Sequence, residues 1–117
     1  MAVVILIRRV VKEDKINEFL DYYQSHRGSA HPEFIGEYLT RLDSNADLPA
    51  PMKNFEVGAT DGVTFINLIF FKSAEGFTEH FNPSITFDDN YELENRQRIV
   101  MQVQDNVSQL TDEIMAL

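Results

Sequence analysis

Hydrophobic and polar positions alternate along this chain with two periods, and the switch between them is clearest from Gly62 to Asn82. From Val63 to Phe71 the residues are β-branched, aromatic or aliphatic apart from Asn67, which predicts a strand with apolar side chains on both faces. Ser73 then supplies a helix N-cap, Glu75 lies in the first turn where the helix dipole favours an anion, and Ala74, Phe77 and Phe81 recur at helical spacing before Asn82 and Pro83 end the helix. Ala2 to Val11 reads as an earlier strand, apolar on both faces until Arg8 and Arg9. A helix over Glu13–Arg27 follows, with Ile16, Phe19, Leu20 and Tyr23 on one stripe and Gly28 as its stop.

Ser29 to Glu33 is a connector, and Phe34–Leu42 is a strand in which Gly36 marks a bend or a close backbone approach. Asp43 to Asp61 holds Pro49 and Pro51 and reads as a long loop. Beyond Pro83, Ile85–Phe87 is a weak strand candidate and Tyr91–Asn95 a helical turn. The end of the chain admits two readings. Val100, Val103, Val107, Leu110, Ile114 and Leu117 keep a spacing that suits one helix, whereas Ile99, Met101 and Val103 alternate as a strand would. A four-stranded sheet needs a last strand, so Arg98–Gln104 is taken as that strand and Asn106–Ala116 as a short tail helix. The order is then β-α-β-β-α-β plus a tail in a single domain. It is an α+β, ferredoxin-like arrangement with a four-stranded antiparallel sheet and both helices on one face.

Strands that are apolar on both faces need cover on both. One helical layer leaves the second face as a contiguous apolar patch, which monomers rarely expose. The expected cover is the same face of a second copy, giving a homodimer through the open sheet; the alternative is that the tail helix folds back over it. Composition adds limits. The formal net charge is −9 over 117 residues, which argues against nucleic acid and anionic membrane surfaces as partners. After Ser84 the only basic residues are Arg96 and Arg98. There is no cysteine, which removes disulfides, thiolate chemistry and iron–sulfur clusters. With no signal-peptide core or membrane-length apolar run, the expected location is cytoplasmic.

The segments FIGEYLTRL and FINLIFFKSAEGFTEHF, with Ser73, Glu75, Phe77, His80 and Phe81 at the opening and close of the second helix, resemble the antibiotic-biosynthesis-monooxygenase-like family of dimeric α/β barrels. The resemblance spans Ala2 to about Gln104 and leaves out the Pro49–Pro51 loop and the tail. It implies a cofactor-independent monooxygenase-like activity on a small aromatic or quinol-type molecule, in a dry pocket between sheet and helices. Family members that degrade haem use an Asn, a Trp and a His. This chain has no Trp, which counts against that branch although Asn67 and His80 remain as counterparts. The rival is a non-catalytic member of the same fold that binds a small apolar ligand or serves as an assembly module.

Asn67 is the leading catalytic candidate, because a buried amide must be partnered and a pocket-facing one can orient a substrate oxygen. A structural hydrogen bond to a neighbouring strand or loop competes with that role. His80 could act as acid, base or ligand, or be a half-exposed residue near a helix C-terminus. Tyr38, Arg41, Phe65 and Phe77 complete the expected substrate contacts. Tyr38 and Arg41 fall on opposite faces of their strand unless a bulge intervenes, and Arg41 with Arg8 or Arg9 could hold an anionic substrate. No metal-ligand spacing, phosphate-cradling glycine loop or nucleophile elbow is present, so neither metal nor cofactor is expected.

Overall fold

A computed structural model describes residues 2–42, 61–82, 84–104 and 108. The elements are β1 (Val3–Val11), a 3-10 turn (Glu13–Lys15), α1 (Ile16–His26), β2 (Phe34–Arg41), β3 (Val63–Phe71), α2 (Ala74–His80) and β4 (Gln97–Gln102). The strands form one antiparallel four-stranded sheet in the order β2-β3-β1-β4, so the fold is α+β and ferredoxin-like. The two strands that are apolar on both faces, β1 and β3, take the central places, and the more polar β2 and β4 take the edges. This is the arrangement that burial on both faces selects.

Directly opposed residues share a face, so the register assigns every side chain. Ile5 pairs with Ile69 and Val100, Ile7 with Asn67 and Arg98, and Arg9 with Phe65. These belong to the helix face. There Phe19 of α1 meets Phe65 at 5.1 Å between ring centroids, and Phe77 of α2 meets Phe71 at 5.6 Å. The second face carries Val4, Leu6, Ile66, Leu68, Phe70, Ile99 and Met101; Ile99 is 56% and Met101 39% exposed, and the others are half-buried. Deleting either aromatic anchor of the helix face would cost about 3–5 kcal/mol.

The core of the helix face is split. One cluster gathers Val3, Ile5, Ile7, Ile69, Phe71 and Phe77 beneath α2, and the other gathers Val11, Phe19 and Phe65 beneath α1. The row between them holds Arg9 and Asn67. The start of α2 is fixed as its sequence suggests: Ser73 Oγ accepts from the Gly76 amide at 3.1 Å and donates to Glu33 at 2.9 Å. Capping of this kind contributes about 1 kcal/mol.

Several sequence boundaries move. The first helix begins as a 3-10 turn and ends at His26, with Gly28 two residues beyond at φ +88. The second helix ends at His80, where Phe81 turns extended while its amide still bonds to Phe77. Tyr91–Asn95 is not a helical turn. Glu92 makes an isolated bridge with Val11, while Lys12 donates to the Tyr91 carbonyl and Leu93 to that of Val10 at 2.8 and 2.9 Å. The Tyr91 and Glu92 amides still bond to the Asp88 carbonyl, at 3.1 and 2.7 Å, but pairing with the end of β1 stops the turn from continuing as a helix. Ile85–Phe87 forms no strand. A register shift between Phe34 and Gly36 realises the expected irregularity at the glycine and reverses the parity of β2. Phe34 consequently lies on the helix face and Tyr38 on the other, although alternation alone would place them together. The Asp43–Asp61 loop up to residue 60, and the tail helix apart from Ser108, lie outside the described residues.

Gly62 is held at φ +79, and a Cβ there would lie 2.6 Å from the Val11 carbonyl oxygen and 2.8 Å from Leu93 Cδ1. Gly62→Ala combines backbone strain with a clash against main chain, so it should lower the unfolding free energy by about 1–3 kcal/mol in urea titration. An unchanged midpoint would contradict this geometry.

Candidate functional site

Between the two aromatic clusters the helix face carries a polar row, and each member comes from a different element. Asn67, at the middle of β3, is fully buried. Its amide nitrogen donates to Tyr23 Oη of α1 at 2.8 Å, and to Glu37 Oε2 and the Tyr38 carbonyl of β2 at 3.3 Å each. Tyr23 in turn donates to Glu37 Oε2 at 2.7 Å, and the Gly28 amide donates to Glu37 Oε1. One carboxylate thus ties the C-terminal end of α1 to the sheet. The Asn67 side-chain oxygen has no hydrogen-bond partner among the described residues. Burial, and then the bond to Glu37, push the Tyr23 hydroxyl well above the usual phenol range.

Arg9 lies next to this network, its guanidinium carbon 5.8 Å from the centroid of Tyr23 and 5.9 Å from that of Phe19. Arg98, on β4 beside Ile7, stacks over Phe81 at 4.5 Å and donates to the Ile85 carbonyl at 3.3 Å. Arg96 forms a two-pronged pair with the buried Glu92, at 2.9 and 2.7 Å. The Nε atoms of Arg9 and Arg98 are buried without a hydrogen-bond partner among the described residues. Burial first, and Arg96 second, hold the Arg9 guanidinium down to about 10, and the same causes lower Arg98.

These residues border a cleft between the helices and the sheet. Its larger lobe, about 540 Å³, lies among Arg9, Tyr22, Tyr23, Glu37, His80 and Asp88. A second lobe of about 270 Å³ lies among Arg9, Phe77, His80, Phe81, Arg96 and Arg98, and shares Arg9, Ile69, His80, Ile85 and Arg96 with the first. His80 closes the last turn of α2, where Nδ1 lies 3.1 Å from Ser29 Oγ and the ring 5.5 Å from Phe71. The combined space is of a size that holds a small aromatic molecule.

Of the residues expected from the sequence, His80 and Phe77 border the cleft, whereas Asn67 is fully buried and borders neither lobe, reaching the larger one only through its partners Tyr23 and Glu37. Phe65 is buried in the cluster beneath α1. Tyr38 packs on the second face, edge-on to Phe70 at 5.8 Å. Arg41 is exposed at the end of β2 and borders neither lobe. Arg8 points to the second face with Glu94 at 2.6 Å, so Arg9 alone of that pair belongs to the cleft. The sequence reading missed Tyr23, Glu37, Arg96 and Arg98. The available signal was the position of Arg96 and Arg98, two residues apart at the start of a strand and the only basic residues of the acidic final third.

No protein-family model matches the chain. Comparison with curated proteins finds no match in sequence. In three dimensions the chain is similar to the crystal structure of a Bacillus cereus protein provisionally assigned as an antibiotic biosynthesis monooxygenase, with a TM-score of 0.58. The two are 12% identical, and the superposition covers 95% of this chain and 97% of the other. The shared property is the fold. Among the described residues no helix is long and apolar enough to cross a membrane, and no three His, Cys, Asp or Glu side chains converge as metal ligands.

The Tyr23–Glu37–Asn67 network makes a testable contribution to stability. Removing the hydroxyl in Tyr23→Phe deprives Glu37 and Asn67 of a partner and should cost about 1–3 kcal/mol at neutral pH. A phenol whose pKa is raised on folding stabilises the fold fully below its unfolded value of 10.0 and progressively less above it. The difference between the wild type and Tyr23→Phe, measured by urea unfolding, should therefore narrow as pH rises above 10. A pH-independent difference would show that Tyr23 is not the group held neutral.

Proposed function

We propose that this chain is a cofactor-independent, monooxygenase-like enzyme that oxidises a small aromatic or quinol-type molecule in the cleft between α1, α2 and the sheet. The observation that carries the reading is the position of His80 on the border of both lobes, beside aromatic walls and the guanidinium groups of Arg9 and Arg98. The fold likeness to the Bacillus cereus protein supports it. In the tautomer that donates Nδ1–H to Ser29 Oγ, His80 Nε2 is the base that takes the substrate proton. Arg9 and Arg98 stabilise the resulting oxyanion in a site where burial strengthens their field. The electron-rich anion of an anthrone-type substrate then reduces O₂ by one electron, and the two radicals combine at carbon. Loss of water from the hydroperoxide leaves one oxygen atom as the new carbonyl and releases the other as water. Asn67, buried behind the wall, acts by fixing Tyr23 and Glu37, which border the larger lobe.

The rival, a non-catalytic ligand-binding or assembly module, draws support from the engagement of the Asn67 amide nitrogen and His80 Nδ1 by protein groups. Oxygen uptake with a panel of hydroquinones and anthrones separates the two. Loss of a general base should lower turnover about 100-fold or more in His80→Ala, and Asn67→Ala should lower it about tenfold by loosening its neighbours. If neither substitution alters a measured turnover, the site assignment fails. If no panel member consumes oxygen above the uncatalysed rate, the binding module becomes the better reading.

We also infer that the working form is a homodimer closed over the second sheet face, supported by the apolar side chains of β1, β3 and β4 there. Sedimentation should report a dimer at micromolar concentration, and Ile99→Lys with Met101→Lys should shift it to monomer while retaining the circular dichroism of the fold. A wild-type monomer would exclude this assembly.

A further inference from the structure

We propose that the smaller lobe of the cleft is a carboxylate-binding subsite, and that the molecule held there is an aromatic acid whose carboxylate lies between Arg9 and Arg98. The inference uses the same cleft as the proposed function and narrows its ligand class, but it requires no turnover.

The described residues lining this lobe include Arg9, Arg96, Arg98 and His80 beside Phe77 and Phe81. Among the described residues it contains guanidinium groups and an imidazole and no acidic side chain, in a chain whose formal net charge is −9. The nearest carboxylates are already engaged. Glu92 is held by Arg96, and Glu37 accepts from Tyr23, Asn67 and the Gly28 amide. Asp88 and Asp89 border only the larger lobe.

Arg9 and Arg98 meanwhile keep buried Nε–H donors that nothing among the described residues accepts. An unsatisfied charged donor is costly to bury, and a bound anion removes that cost by accepting from both groups. The register places Arg98 directly beside Ile7, one residue pair from Arg9 on the same face. The two guanidinium groups therefore converge from adjacent strands rather than from a mobile loop. A planar carboxylate matches a guanidinium edge better than a spherical anion does. Apart from Asn82 the rest of the wall is apolar or aromatic, with Phe77 and Phe81 stacked at 5.7 Å, and this suits the ring that carries the acid. Burial of Arg9 and repulsion from Arg96 act in the same direction, since both are relieved by a negative ligand.

The test is equilibrium binding by titration calorimetry under nitrogen, with 1-hydroxy-2-naphthoate, its methyl ester, and inorganic phosphate as probes. The acid should bind at least about tenfold more tightly than the ester, the scale of one charge-assisted hydrogen bond. Phosphate alone should bind more weakly than the acid. Arg98→Gln, on an edge strand where the fold tolerates change, should remove the preference for the acid and leave ester binding within about twofold. Arg98→Lys should restore part of it, because charge returns without the planar edge. Lys72→Gln, an exposed change at the end of β3, should leave both affinities unaltered.

Equal affinity for acid and ester, or a preference that survives Arg98→Gln, would overturn the proposal even if quinols are oxidised. Phosphate binding as tightly as the acid would overturn the aromatic part. Selective binding of the acid without oxygen uptake by any substrate would sustain the subsite and remove the oxygenase reading.

Discussion

The structure depends on a sheet whose two central strands are apolar on both sides, covered on one side by helices too short to cover it evenly. An α1 of 11 residues and an α2 of 7 residues cannot span a face defined by nine-residue strands. Each helix instead packs an aromatic anchor at one end, Phe19 on Phe65 and Phe77 on Phe71. The space left between these anchors is where the polar residues of β1 and β3 fall. Arg9 and Asn67 interrupt otherwise apolar strands at the boundary between the two clusters. Asn67 is buried beneath Tyr23 and Glu37, which satisfy its amide nitrogen, whereas Arg9 comes up at the gap, where the cleft opens.

The electrostatics of the cleft follow from the same geometry. Arg9 reaches it from a central strand with its guanidinium head over the rings of Phe19 and Tyr23, on the border of both lobes. Arg98 arrives from the edge strand across Phe81. With Arg96 committed to Glu92, the local field is positive within a negative molecule. Glu92 offsets part of this field at Arg9 and Arg98, and burial of Arg9 limits what solvent can add. Low-dielectric walls then focus that field into the cavity, which favours an anion there over one elsewhere on the surface.

Much of this architecture was legible in the chain. Periodicity set the strands and helices, and β3 spans the residues its apolar run indicates. Ser73 announced the start of α2 and formed its cap. Face assignments were less accessible, because they depend on register. The shift between Phe34 and Gly36 separates Tyr38 from Phe34, and a glycine marks such a shift without stating its direction. Tyr23 reads as part of the apolar stripe of α1, and Glu37 carries no signal of its own; only pairing across elements shows them converging on Asn67. The helical-turn reading of Tyr91–Asn95 failed because backbone groups there bond to β1, a partner 80 residues away in sequence that no local pattern encodes.

The polar network also bears on how the cleft can work. An amide held on its nitrogen side by a tyrosine, a carboxylate and a carbonyl is fixed in orientation, and it fixes Tyr23 and Glu37 at the border of the larger lobe before any ligand arrives. Preorganisation of that sort lowers the cost of ordering when a ligand binds, and it serves binding and catalysis alike. His80 differs. It ends a helix of 7 residues and is tied by one bond to Ser29 in the connector, so its position depends on how firmly that connector is held. His31 helps, through its bond to Glu79 at 2.7 Å and by accepting from the Glu33 amide at 3.1 Å. Proton transfer is the function most sensitive to a small displacement of the base. A rigid floor under a more loosely anchored histidine therefore makes ligand binding the robust property of this cleft and catalysis the one that depends on the connector between α1 and β2.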